Sequence, residues 1–476
     1  MNKATPNKIL DNTDLITNPK KIANIFNSHF SQIANTVIKE SAHHQPNFDA
    51  LRNFVDTRLC KDHQFTIPPM TAEYLFNEIN NLSCHKAKGI DAINVHLLKI
   101  GCNDLLPSLL YLYNSSITSG IFPDQWKISK ITPIFKKGSR QDKDNYRPIS
   151  VLSVLSKIVE RYYGLHLISY LNENNLLTSS QFGSRPLHSC ETMLLQLTNT
   201  LLHSMDKGEL SGILLVDFRK AFDLINHELL LQKLAIYGLK DETLQWFRSY
   251  LTERKQLVSI AHSTSDLLPV RSGVPQGSSL GPLLFILFIN DIPLANTQCN
   301  TYIYVDETTL ANSGPTINTV RTHLQSGADN LATWASENRM AIHPDKTKVL
   351  LVGTKRKLVT ISEPLNISIC GTTLSQSSSG KLLGIHMDDC LSWNEHISAV
   401  IKKFNTKLEL VKRAKPYLTP ELLLVLYNSL AKPTLEYCCS VWGNCSGDAL
   451  SQLTSAQKRA ARILVNADYT THRYLI

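Results

Sequence analysis

The sequence predicts an α+β protein, with strands that bear acidic side chains set among longer helical stretches. Three observations carry that prediction. The run Ile213-Leu214-Leu215-Val216, within SGILLVDFRKAFD, is continuous and aliphatic and ends in Asp217. Such a run is expected of a strand buried on both faces. The segment TYIYVDETTLA, from Thr301 to Ala311, reads as a strand, a tight acidic turn at Asp306-Glu307 and a returning strand. Elsewhere leucine and isoleucine recur at helical spacing, as at Leu75, Ile79 and Leu82, and at Leu97, Leu98, Leu105, Leu109 and Leu112.

The acids are the chemically informative part. A carboxylate that ends a buried strand is costly to desolvate unless it is paired or metal-bound. Two adjacent carboxylates at a turn repel each other unless a cation sits between them. Asp306-Glu307 alone is therefore a metal-site candidate or an ordinary solvated turn, the second being the commoner case. Asp217 and Asp306 lie 89 positions apart, so only the fold can bring them together. Between them runs SGVPQGSSLGP, Ser272 to Pro282, with three glycines and two prolines. That composition suits a backbone that approaches a ligand closely, and an apolar helix candidate, Leu283 to Ile289, follows it. Acid strand, glycine loop and acidic hairpin in this order strengthen one another.

Together these segments resemble motifs A, B and C of the reverse transcriptases of non-LTR retrotransposons, of the jockey-like kind. The resemblance runs from about residue 20 to the C-terminus. KAKGIDAINVHLLK (Lys86 to Lys99) is similar to the family's N-terminal extension motif. FPDQWKISKITPIFKKGSRQDKDNYRPISVLS (Phe122 to Ser153) resembles its fingers motifs. QFGSRPLHSC (Gln181 to Cys190) resembles a QFGFR-type segment, with substitutions, and WASENRMAIHPDKTKVL (Trp334 to Leu350) resembles motif D. LLGIHMDDCLSWNEHI and LEYCCSVWGN resemble the motif E region and a segment near the thumb.

The resemblance implies a right-hand polymerase of fingers, palm and helical thumb. It implies a polar linker-like segment at 1–65, a helical N-terminal extension at 66–116, fingers and palm at 117–388 and a thumb-like region at 389–476. The implied reaction is attack of a DNA primer 3′-hydroxyl on the α-phosphate of a deoxynucleoside triphosphate, templated by RNA. Two Mg²⁺ ions about 3.5–4 Å apart, with Mn²⁺ as a substitute, are the implied cofactors. Hard cations want carboxylate oxygens, and the match assigns Asp217 and Asp306 as bridging ligands, with Glu307 beside them and the Phe218 carbonyl as a further oxygen. Phe222 aligns with the ring that lies beneath the incoming sugar and excludes a 2′-hydroxyl. Gln276 aligns with the glutamine that contacts template and nucleotide, and Gly273 and Gly277 let that loop approach the template. Lys136 and Arg147 align with the cations that grip the triphosphate, a role suited to a point charge and a planar fork. Lys346 aligns with the motif D lysine proposed as a general acid for pyrophosphate. Tyr304 and Val305 fall near the primer terminus.

Taken singly, these residues have plainer readings. Phe222 is a core aromatic, and Lys136, Arg147 and Lys346 are surface charges. The sequence also departs from the family where the chemistry is most demanding. Tyr304-Val305-Asp306-Glu307 stands where an aromatic residue, a small residue and two aspartates are usual. The extra methylene of Glu307 moves its carboxylate by about 1 Å. A misplacement of that order costs about a hundredfold in rate. Activity is expected to be weak or shifted toward Mn²⁺. The alternative is a folded, inactive, nucleic-acid-binding remnant. The family's endonuclease is not recognisable before Lys86, so a shortened copy of a mobile element is expected.

Composition agrees. The 476 residues can bury a large core, and a net charge of +9 suits a polyanionic partner. Lys127, Lys130, Lys136, Lys137, Arg140, Lys143 and Arg147 concentrate in one segment. No apolar run of about 18 residues suggests a membrane span, and no apolar leader core opens the sequence. The ten cysteines show no zinc-type spacing, which fits a reduced intracellular setting, nuclear or cytoplasmic.

Overall fold

The computed structural model describes residues 6–11, 14–39, 44–60 and 64–468. They form two units that interleave along the chain. The first draws on Met1–Ser184, Phe218–Thr297 and Asn330–His343, the second on Arg185–Asp217, Gln298–Asp329 and Pro344–Ile476.

In the first unit, strand Ile128–Phe135 pairs antiparallel with Tyr146–Val151 and parallel with Lys255–Ile260. The periodicity Ile22, Ile25, Phe26, Phe30, Ile33 predicts a helix over Lys20 to Ile38, and a helix spans Pro19–Lys39. It buries Ile22, Ala23, Phe26, Phe30 and Ile33 against Ile131, Tyr146, Val258 and Ile260 of that sheet. The polar character of this stretch belongs to its outer face. Asn27, buried on the inner face, accepts from Gln256 Nε2 at 3.0 Å and donates to the Asp266 carbonyl at 2.7 Å. The helix expected over Ile149 to Glu173 instead begins at Val154. Residues 146–151 are held in the sheet, and Ser153 caps the helix by accepting from Leu155 N–H. The helix expected over Ser189 to Lys207 spans Cys190–Asp206, in the second unit, with a capping box between Ser189 and Thr192.

Aromatic packing fills much of the first core. Tyr163 and Trp246 stack at 3.6 Å, and Phe122 meets Trp246 edge-on at 5.4 Å. The core also holds the fully buried cation Lys233. Lys233 Nζ donates to Asp291 Oδ1 at 2.8 Å and to the Phe288 carbonyl at 2.6 Å. Trp334 Nε1 donates to the same carboxylate oxygen at 3.0 Å.

The second unit is built on a four-stranded antiparallel sheet in the order Lys348–Val352, Leu210–Asp217, Glu307–Gly314, Asn300–Tyr304. Gly212 lets helix Ile317–Glu337 close onto the sheet: a Cβ there would lie 2.7 Å from Val320 Cγ1 and 2.9 Å from Leu324 Cδ2. Hairpin Ser379–Leu382/Ile385–Asp388 leads into helix Asn394–Ala414. The Asp388 carboxylate gathers the N–H groups of Cys390, Ser392 and Trp393 at 2.9–3.1 Å just ahead of that helix. The expected breaks at Pro416, Pro420 and Pro433 fall in a 3-10 turn and in the first turns of Pro420–Leu430 and Lys432–Glu436. Helix Gly447–Val465 ends the described fold. No described helix is long and apolar enough to cross a membrane.

Removing one partner of a buried ion pair leaves the other charge uncompensated. Asp291→Ala is therefore expected to destabilise the chain by about 3–5 kcal/mol, read as a lowered urea midpoint.

Candidate active site

The acidic site of the second unit is set by strand register. Glu307 pairs with Asp217 on one side and with Tyr304 on the other. Pairing of Tyr304 with Glu307 leaves a two-residue turn, Val305-Asp306, one residue earlier than the Asp306-Glu307 turn expected from the sequence, because Glu307 is drawn into the returning strand by pairing on both sides. Asp217 and Glu307 thus stand directly opposite across the ladder, where side chains lie about 4.5–5.5 Å apart at Cβ. Asp306 occupies the turn and is exposed. Val305 sits at φ 56°, the left-handed region, which a β-branched side chain rarely adopts. Strain of this kind collects at functional turns.

Around these acids lie three further groups of the same unit. Lys346 Nζ is 3.8 Å from Asp217 Oδ2, both side chains being about half exposed. Such an open pair adds little stability, but it places a cation at the carboxylates. The Thr347 hydroxyl accepts from Asp217 N–H at 3.4 Å. Glu307 Oε2 accepts the Leu383 N–H at 3.0 Å. Desolvation pushes the Glu307 carboxyl up, the charges of Asp306 and Asp217 push the same way, and the Leu383 N–H and Lys381 oppose them. The Tyr304 hydroxyl is hydrogen-bonded to Cys190, and this together with burial pushes it up to about 12. The substituted QFGSRPLHSC segment therefore ends against Tyr304.

Among the described residues, no three acidic, histidine or cysteine side chains converge into a metal cage of their own. The donor set nevertheless fits a hard divalent cation. Mg²⁺ is commonly held by one or two carboxylates, with waters and substrate phosphate completing its shell. Asp217, Asp306 and Glu307 offer such oxygens, and their mutual repulsion is what a cation would relieve.

The first unit holds the other predicted residues. Phe218, next in the chain after Asp217, is buried and bridges Ile342. Lys136 follows the end of strand Ile128–Phe135, and its N–H donates to the Asn145 carbonyl. Ile134 pairs with Arg147. Continuing the alternation past Ile134 puts Lys136 and Arg147 on the same face as diagonal neighbours, and both are exposed.

The glycine loop is held from several sides. Ser150 N–H donates to the Gln276 carbonyl at 2.8 Å, and a Cβ on Gly277 (φ 132°) would fall 2.3 Å from the Ser150 carbonyl oxygen. Gln276 Nε2 donates to Asp223 Oδ1 at 3.0 Å. His227 Nε2 donates to the Gly273 carbonyl at 2.8 Å. The fully buried Glu160 accepts the Ser279 N–H at 2.7 Å, just ahead of helix Gly281–Phe288. Burial pushes the Asp223 carboxyl up to about 6, against the opposing pull of the Gln276 amide and the Lys220 charge. Phe222 is half-buried and stacks on Phe285.

Sequence reasoning singled out residues that stand in compact motifs and did not single out those that contact them. Asp223 was readable as a second acid in DFRKAFD, and Glu160 as a lone acid in an apolar helical face. Thr347, Leu383 and Phe285 carried no signal, since a hydroxyl, a main-chain N–H and a core ring reveal a role only by contact.

Residues 134–387 match the family model described as reverse transcriptase (RNA-dependent DNA polymerase). The chain is 28% identical to a probable RNA-directed DNA polymerase from transposon BS of Drosophila melanogaster, over 97% of this chain and 52% of the relative. It is 28% identical to the RNA-directed DNA polymerase from mobile element jockey of the same species, over 88% and 47% of the two chains. The probable RNA-directed DNA polymerase from transposon X-element, also of Drosophila melanogaster, is 26% identical over 86% and 45%. The chain spans about half the length of these curated relatives.

The raised Asp223 carboxyl has a consequence for pH. Its folded value lies above the unfolded one, so its contribution to stability is full below about pH 4 and is lost as pH rises through about 6. Asp223→Asn keeps the acceptor for Gln276 and removes the charge. It is expected to match wild type near pH 4 and to exceed it by about 1–2 kcal/mol at pH 7, read from urea midpoints across that range.

Proposed function

The chain belongs to the reverse transcriptase family, and on that footing we propose that it is the RNA-directed DNA polymerase of a non-LTR retrotransposon. The observation that carries this reading is the register that sets Asp217 opposite Glu307, with Asp306 in the adjoining turn and Lys346 beside Asp217. We read residues 117–388 as fingers and palm, 66–116 as an N-terminal extension, 389–476 as a thumb-like region and 1–65 as the segment that leads into them.

In this reading Asp217 and Asp306 hold the cations, assisted by Glu307 and the Phe218 carbonyl. Mg²⁺, when bound there, lowers the primer hydroxyl's pKa and neutralises charge on the leaving pyrophosphate. The primer oxygen bonds to the α-phosphorus as the bond to the bridging pyrophosphate oxygen breaks. Lys346 supplies positive charge, and a proton, to the departing pyrophosphate. Lys136 and Arg147 bind the triphosphate. Gln276, fixed by Asp223, meets the nucleotide and template, and Gly273 and Gly277 keep the loop free of side chains where the strand passes. Tyr304 and Val305 support the primer terminus. Phe222 lies under the incoming sugar. The partners are an RNA template, a DNA primer and deoxynucleoside triphosphates. An A-form-like hybrid is held mainly through its backbone and 2′-hydroxyls, so binding falls steeply with salt.

A second reading is favoured by one observation. Glu307 is longer than the usual aspartate, and its Oε2 is engaged by the Leu383 N–H. In a folded remnant that binds hybrid without extending it, this engagement holds the carboxylate away from a cation.

Primer extension on a poly(rA)-type template separates the two. Asp217→Ala is expected to lower extension by at least about a thousandfold, the scale of an electrostatic catalytic group. Glu307→Asp is expected to raise it in Mg²⁺ by about ten- to a hundredfold, with a smaller gain in Mn²⁺. Hybrid binding without extension, from both wild type and Glu307→Asp, withdraws the polymerase reading.

A further inference from the structure

The ring of Phe222 is backed by a second ring. Phe222 and Phe285 stack with centroids 4.4 Å apart and planes 15° from parallel. Phe285 is fully buried in the apolar helix Gly281–Phe288, where Leu283 through Phe288 are all buried. The main chain of Phe222 is fixed from the other side. Its carbonyl accepts the Val274 N–H at 3.0 Å, and Ser272 Oγ donates to the Asp223 carbonyl at 3.2 Å. At Gly273 (φ 79°) a Cβ would fall 2.8 Å from both the Phe222 oxygen and Asp223 Cα, so this approach requires glycine. The short turn Ala221–Leu224 is entered through Lys220 at φ 46°. The backbone of Phe222 therefore has little room to move. What remains is rotation of the ring about its own torsions, and the flat face of Phe285 limits that rotation.

We infer that Phe285 is a positioning residue for sugar selection, holding the Phe222 ring at the height and tilt that exclude a ribose 2′-hydroxyl. The inference rests on the reading of Phe222 as the ring beneath the incoming sugar. A steric wall discriminates only as far as it refuses to yield, and one hydroxyl needs only a small recession of the wall. A ring stacked on a buried ring recedes less than a ring on a flexible aliphatic chain, because tilting it breaks contact across a whole face. The helix that carries Phe285 is itself anchored by Glu160 through the Ser279 N–H, so the backing ring has a fixed origin.

The test is single-nucleotide extension of a DNA primer on RNA by the full chain, in whichever of wild type and Glu307→Asp extends faster. The ratio of kcat/KM for a deoxynucleotide to that for its ribonucleotide is compared among variants. Phe285→Leu is expected to lower that ratio about tenfold while deoxynucleotide extension stays within about threefold, and Phe222→Val to lower it about a hundredfold. Phe285→Leu added to Phe222→Val should change the ratio no further, because the two act through one ring. Leu287→Val, a buried substitution on the same helix, should leave the ratio unchanged. If the leucine variant fails to fold, Phe285→Met replaces it with the same expectation. An unchanged ratio at Phe285→Leu or Phe285→Met, with Phe222→Val shifting it, overturns the inference and leaves the polymerase reading standing. An unchanged ratio at Phe222→Val overturns the inference together with the assignment of Phe222. Absence of deoxynucleotide extension in both backgrounds withdraws the polymerase reading and this inference with it.

Discussion

Eight consecutive residue pairs hold strand Leu210–Asp217 against strand Glu307–Gly314. Side chains alternate along a strand, so a slip of one residue would send each of them to the opposite face. The register is protected against that slip on both sides. Ile213 and Leu214 are fully buried, and edge strand Lys348–Val352 pairs with the same central strand from Ser211 to Leu215. Asp217 and Glu307 are the last pair of this ladder. Their meeting follows from hydrophobic burial several residues away rather than from any attraction between them. Desolvation first, and then the charges of Asp306 and Asp217, push the Glu307 carboxyl up, so the acids do not hold themselves together and the apolar ladder supplies the free energy that does.

The glycine loop follows a different logic. It has little core of its own and is positioned by polar groups: Ser150, Asp223, His227 and Glu160 each satisfy a main-chain or amide group of the loop or of the turn just after it. Half-buried or buried acids are expensive, and Asp223 is shifted for that reason. Their retention here is accounted for by the bonds they make to a segment whose glycines cannot fix it by packing. Gly277 illustrates the exchange. Without a side chain it comes so close to the Ser150 carbonyl that alanine would not fit, and the loop gains the Ser150 to Gln276 bond in return.

These two logics explain which parts of the molecule were legible in the sequence. The apolar run before Asp217 and the strand–turn–strand pattern at Thr301 to Ala311 are local signals, and the structure forms a strand and a two-residue hairpin there. The N-terminal helix was legible for the same reason, since Ile22, Phe26, Phe30 and Ile33 repeat on one face. The start of helix Val154–Glu173 was not legible. Ile149-Ser150-Val151, just after Pro148, is compatible with either state, and pairing with Ile128–Phe135, a contact outside the local window, decides it. The same limit applies at the site. Asp217, Asp306 and Gln276 stand in compact motifs, whereas the groups that hold them are distributed over 119 positions between Glu160 and Ser279 and over 76 between Glu307 and Leu383.

The turn at Val305 joins these points. A hairpin of two residues favours glycine or asparagine where φ is positive, and valine resists it. The tertiary ladder nevertheless closes the turn, because opening it would unpair Tyr304 from Glu307 and disturb the Glu307–Asp217 pair beyond. The strain therefore falls on the residue next to Asp306, and the longer side chain of Glu307 falls on the residue after it. These two departures from the family pattern lie in one turn and at the start of the strand that follows it, and the ladder still pairs Glu307 with Asp217 and Tyr304. A structure can keep its acids aligned in the ladder and still alter the position of their oxygens by about 1 Å, which is below what packing corrects and within what catalysis detects.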